Sequence, residues 1–207
     1  MNDLGLFLFL SALGLLWSRN TQYTVWFLAG EGLLLSLMVW TTTRFSLVTL
    51  LVGVTTLVVK GGLIPGLIYR ITRTWPATVR QDHPLPLWAY GTGVLVVLAV
   101  GHVIHLLAPT GLIQHTLLFF YALASLHLGL VMIVARRHLL SQLAALVAIE
   151  NRLVVVAVSL AGALPTFFEL GLLIDLGIAA ILMVWISHRV HRELQTMDVT
   201  ALRRLRG

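Results

Sequence analysis

The chain contains no cysteine. Disulfides, thiolate-held iron–sulfur clusters and a thiol nucleophile are therefore excluded from anything it does by itself. Charge is also scarce: acidic and basic side chains make up 11% of the residues and hydrophobic ones 58%. An average soluble chain carries roughly a quarter charged residues. A soluble domain built from this composition would expose large apolar patches and aggregate. No basic, aromatic-interleaved segment is long enough to form a nucleic-acid domain, so the net charge of +6 reads as membrane orientation and not as a polyanion partner. No nucleophile triad, phosphate loop or dinucleotide fingerprint is visible. Gly91-Thr92-Gly93 sits at a helix start and reads as close packing. The first residues lack a basic n-region, because Asp3 stands where Lys or Arg would, and read as a retained helix in place of a cleaved signal.

What is present is a succession of apolar runs of about twenty residues, enough to cross a hydrocarbon core of roughly 30 Å. The expected fold is all-α: a polytopic membrane protein with about seven transmembrane helices. They fall at residues 4–17, 23–40, 45–71, 87–107, 112–135, 139–160 and 167–187. The one polar loop of any length, 72–86, is broken by Pro76, Pro84 and Pro86. With this span count Arg19, Arg70, Arg73, Arg80, Arg136, Arg137, Arg189, Arg192, Arg203, Arg204 and Arg206 share one side, and Arg44 is the exception. Short basic loops stay cytoplasmic, which puts the N-terminus outside and the C-terminus in the cytoplasm. The chain divides into an N-terminal helical unit (1–86), a connecting helix (87–111), a three-helix unit (112–190) and a cytoplasmic amphipathic tail (191–207) that lies on headgroups or docks on a partner. A faint repeat runs through it. Trp17-Ser18-Arg19-Asn20 precedes an apolar helix carrying Glu31, as Ala135-Arg136-Arg137-His138 precedes one carrying Glu150. Parallel repeats of this kind occur in membrane transport proteins; chance is the competing explanation.

The ionisable residues inside the apolar runs are the candidates for chemistry, since each is costly there and acquires a partner or a task. Glu150 and Asp175 fall near the bilayer middle, and Glu169 lies shallower, toward the outer face. Arg152 follows Glu150 by two residues and points nearly the opposite way, which makes an Arg152–Asp175 salt bridge the structural alternative to proton handling. Lys60 stands mid-helix before Gly61, Gly62 and Pro65, where a break in the helix is expected. It either trades protons with Glu31 on the preceding helix or pairs with it as a structural bridge. His102, His105 and His127 suggest interhelical hydrogen bonds, a polar relay more than a metal site, as no carboxylate or thiol completes a ligand set. His138, His188 and His191 belong to the cytoplasmic rim and are expected to be solvated.

The run Arg136-Arg137-His138-Leu139-Leu140, a mid-helix Glu, an acid on the next helix and the ending Met197-Asp198-Val199 to Leu205-Arg206-Gly207 resemble the NuoK subunit of respiratory complex I. With Lys60-Gly61-Gly62-Leu63-Ile64-Pro65 and Ile149-Glu150-Asn151, the whole chain resembles hydrogenase-4 component E (HyfE), from membrane arms of complex I-like assemblies. The resemblance implies a non-redox membrane subunit of a hydrogenase-4 or formate hydrogenlyase-type oxidoreductase in a bacterial or archaeal cytoplasmic membrane. Its proton pathway would use Glu150, Asp175 and Glu169, with Lys60 and Glu31 as a second pair. The NuoK pattern departs here in having Asp175 where it has Glu, and in carrying an extra acid. Iron–sulfur clusters and nickel–iron or other redox centres would sit in partner subunits, with no cofactor in this chain. The partners implied are antiporter-like membrane subunits and peripheral redox subunits, with the lipid bilayer around them. A non-conducting anchor between antiporter-like subunits, and a component of a cation antiporter or inorganic-carbon uptake complex, are the alternatives.

Overall fold

The computed structural model describes residues 2–42, 46–73, 75, 76, 78, 80–111, 113–161, 177, 181, 185, 186, 189 and 192. Its elements are α1 (Asn2–Trp17), α2 (Thr21–Thr42), α3 (Leu47–Thr56), a π-helical segment (Leu57–Leu63), α4 (Ile64–Thr72), α5 (Leu87–Leu107), a short 3₁₀ turn (Ala108–Thr110), α6 (Thr116–Ala135) and α7 (Leu139–Ala161). Among the described residues the one β-type pairing is an isolated bridge between Asn20 and Gln81. Helices follow from the composition: in hydrocarbon every backbone group needs an internal partner, and a helix supplies it within one segment.

Five helical stretches are long and apolar enough to cross a membrane: Thr21–Thr41, Leu47–Thr72, Leu87–Leu107, Thr116–Ala135 and Leu139–Leu160, with Asn2–Trp17 a shorter apolar helix. This is compatible with a polytopic membrane protein. The distribution of side chains points the same way. Trp26, Leu95 and Val134 lie exposed on the outside, while Glu31, Lys60, Asn151 and Arg152 are buried. A water-soluble fold places them the other way round.

Local chemistry sets the helix ends. Ser46 caps α3, its hydroxyl accepting from the Thr49 N–H at 3.1 Å, so this helix starts after residue 45. The expected start at 112 moves to Thr116, because the chain turns through Gly111 at φ 71° after the 3₁₀ turn. The His115 N–H then reaches the Ser159 carbonyl at 3.3 Å. The expected helix 167–187 lies outside the described residues apart from helical residues 177, 181, 185 and 186.

Helices α6 and α7 pack closely on each other, α1 packs along α6, and α2 touches α1, α7 and the π segment. The hairpin α1–α2 thus lies beside the hairpin α6–α7. Arg136, in the turn between α6 and α7, ties their shared end together. Its guanidinium donates to the Leu16 carbonyl at 2.7 Å, the Ser18 carbonyl at 2.5 Å and the His83 carbonyl at 3.3 Å. It also stands 3.6 Å from the Asp82 carboxylate. Burial pulls the Arg136 pKa below its ordinary value, and Asp82 opposes that pull. The Asp82 N–H bonds to the Arg19 carbonyl and the Thr21 N–H to the Arg80 carbonyl. Three connections, α1–α2, α4–α5 and α6–α7, are therefore knotted at one end of the bundle, and α1 and α6 run toward it in parallel. His138 also belongs to this end. It is buried, contrary to the solvated rim position expected, because its Nδ1 accepts the Leu140 N–H at 3.3 Å at the start of α7.

Candidate functional site: four charges at the middle of three helices

Glu31 stands at the middle of α2, Lys60 at the middle of the Leu47–Thr72 rod and Glu150 at the middle of α7. Each is about 15–20 Å from either end of its helix at 1.5 Å per residue. Packing of α2 against α7 and the π segment gathers them, together with Arg152, into one neutral cluster of two acids and two bases.

The pairing is an exchange of the one expected. Lys60 does not pair with Glu31; its Nζ bonds to Glu150 Oε1 at 2.7 Å. Arg152 takes Glu31, its Nη2 lying 2.5 Å from Oε1. Asp175, the partner of Arg152 in the salt-bridge alternative, lies outside the described residues, as does Glu169. The physical reason is adjacency. Helix α7 lies against α2, so Arg152 meets Glu31 directly, while Lys60 is left to reach Glu150. Lys60 nevertheless stays within electrostatic range of Glu31.

The two acids differ in how fully they are held. Glu31 is wholly buried and also accepts from the Ser11 hydroxyl at 2.9 Å and from Asn151 Nδ2 at 3.3 Å, on its second oxygen. Three donors from two other helices, α1 and α7, thus converge on one carboxylate. Glu150 is bonded on Oε1 only. Its Oε2 is buried with no hydrogen-bond partner among the described residues, and its side chain is 14% exposed. Asn151 Oδ1 and Arg152 Nε are likewise buried and unbonded. Unsatisfied buried acceptors are rare, and each points to strain, water or a functional role.

Backbone geometry makes room for the cluster. The break expected at Lys60-Gly61-Gly62 takes the form of a widened turn, Leu57–Leu63, in which the Ile64 N–H returns to the Val59 carbonyl five residues back. Pro65 follows and has no N–H to restore the regular register. Wide turns of this type occur often at functional positions. Gly32, next to Glu31, packs directly on the Gly61 backbone, where a Cβ would collide with main-chain atoms. Gly129 on α6 performs the same service beside Ile149 and Arg152. Small residues at these crossings let charged neighbours on separate helices meet at hydrogen-bond distance.

The histidine relay is not assembled by the described residues. His102 and His105 are exposed on the outer face of α5, and His127 Nδ1 bonds the Leu123 carbonyl of its own helix at 2.8 Å. No group of three or more metal-ligating side chains occurs among the described residues. Ser11 and Asn151 are the site residues that sequence reasoning missed. Other helical hydroxyls here, such as those of Ser36 and Ser125, donate to their own helix, and nothing in the sequence distinguishes Ser11 from them.

No family model, curated protein or solved structure matches this chain.

Proposed function

We propose that this chain is a non-redox membrane subunit of an energy-converting complex, in which the Lys60–Glu150 pair handles protons at mid-membrane depth. The observation that carries the reading is the half-held carboxylate. Glu150 offers one oxygen to Lys60 and keeps the other buried and unbonded beside a widened helical turn. In a low-dielectric interior an ammonium–carboxylate pair and its neutral amine–acid form lie closer in energy than in water, because neutralisation removes two desolvation penalties. A proton can then pass along the 2.7 Å hydrogen bond, and Oε2 is the oxygen from which it would leave or arrive.

The host assembly follows from the motif resemblance alone: a complex I-like hydrogenase-4 or formate hydrogenlyase-type oxidoreductase of a bacterial or archaeal cytoplasmic membrane, with redox centres in partner subunits. The basic end of the bundle faces the cytoplasm in this reading and the N-terminus lies outside. In the reconstituted complex, Glu150→Gln abolishes proton pumping while electron transfer to artificial acceptors continues. Normal pumping by the assembled variant would overturn the proposal. A specific observation favours a second reading, the non-conducting anchor: both described mid-membrane acids, Glu31 and Glu150, already have a cationic partner. In that case Glu150→Gln leaves pumping intact and weakens assembly.

A further inference from the structure

Away from the charged cluster, at the knotted basic end, an apolar groove of about 400 Å³ opens between α1, α5 and α6. Leu13, Leu16 and Trp17 form one wall, Tyr90 the other, and Gly93 and Leu128 the floor. Its size falls within the roughly 300–1,000 Å³ typical of small-molecule sites. The depth of the groove depends on Gly93: a Cβ there would come 3.2 Å from the Leu128 side chain, so the missing side chain is part of the space.

The groove's mouth is chemically distinct from its floor. Trp17, 79% exposed, and Tyr90 stand at the end where the connections are tied. Indole and phenol rings favour this boundary between headgroup and hydrocarbon. Just beyond lies positive charge. Arg136 bonds the carbonyl of Leu16, a wall residue, and both Arg19 and Tyr90 are close enough to Arg136 to act on its charge. Arg136 is buried and spent on carbonyls and Asp82, whereas Arg19 is exposed. An apolar slot, an aromatic rim and an exposed cation thus follow one another along the membrane normal. That order matches an acyl chain, a glycerol backbone and an anionic phosphate.

We infer that this groove binds one acyl chain of an anionic phospholipid, whose phosphate is held at the basic end by Arg19. Charge complementarity decides the occupant. An isoprenoid quinone would fill the slot equally well but offers Arg19 no anion. A helix of another protein would need a wider, longer trough.

The test uses the full chain purified in detergent and titrated with dioleoyl phosphatidylglycerol, dioleoyl phosphatidylcholine or a long-chain quinone, with retained ligand counted by native mass spectrometry. Phosphatidylglycerol is expected to be retained at least about fivefold better than phosphatidylcholine, the scale of one basic residue near an anionic surface. Arg19→Gln erases that preference and leaves both lipids bound alike. Val94→Trp, on an exposed position lining the groove, lowers retention of both by more than about tenfold, as does Gly93→Leu if it folds. Equal retention of the two lipids by the unaltered chain, quinone displacing phosphatidylglycerol, or full retention by the folded Val94→Trp variant would each overturn the inference.

Discussion

The two ion pairs inside the helical bundle are made of similar parts and held in different ways. Glu31–Arg152 is closed: both side chains are almost wholly buried, and Ser11 and Asn151 complete the carboxylate. Lys60–Glu150 is open on one side, since Glu150 keeps a buried oxygen without a donor among the described residues and the backbone at Lys60 is loosened by the π turn. The contrast separates two uses of buried charge. A carboxylate with both oxygens engaged fixes which helices touch. One with an unengaged oxygen next to a buried amine retains a way to change protonation state.

The largest effect should come from the closed pair. Arg152→Leu strands Glu31 as an uncompensated buried charge and costs about 3–5 kcal/mol of stability, measured by unfolding in mixed micelles. The double variant Glu31→Gln/Arg152→Leu should recover much of that loss. If it proves as unstable as the single one, the pair is not the unit that holds α2 to α7. Next in size is Gly32→Leu, which forces α2 off the Gly61 backbone and should cost at least about 1–3 kcal/mol, read from the same assay. Glu150→Gln should be milder, about 1–2 kcal/mol, because the amide still accepts from Lys60 and the site is partly exposed. An equal loss at Glu31→Gln and Glu150→Gln would erase the distinction between closed and open pairs. The smallest effect belongs to Gly62→Ala, whose added methyl meets no side chain; a change within about 1 kcal/mol is expected. A proton-pumping defect in that variant without loss of stability would tie the wide turn itself to function.

Much of the fold was legible because bilayer physics leaves few options. Apolar runs of spanning length become helices, and the helices expected at 87–107 and 139–160 agree closely with Leu87–Leu107 and Leu139–Ala161. Errors arose where a cap or a turn, not hydrophobicity, set the boundary, as at Ser46 and Gly111. Glu31, Lys60, Glu150 and Arg152 stood out because ionisable groups in such surroundings are few. His102 and His105 stood out for the same reason, yet they face outward from α5.

Composition and run length by themselves determined that the chain is helical, and they marked Glu31, Lys60, Glu150 and Arg152 as charges set deep within apolar helices. These follow from the cost of exposing backbone or charge to hydrocarbon, which depends on residue type alone. Which acid meets which base did not follow. That choice depends on α2 lying against α7, on Gly32 and Gly129 letting backbones approach, and on a widened turn that aims Lys60 at Glu150. Contacts between helices about a hundred residues apart are set by the packing of the whole bundle, and only the tertiary structure records them.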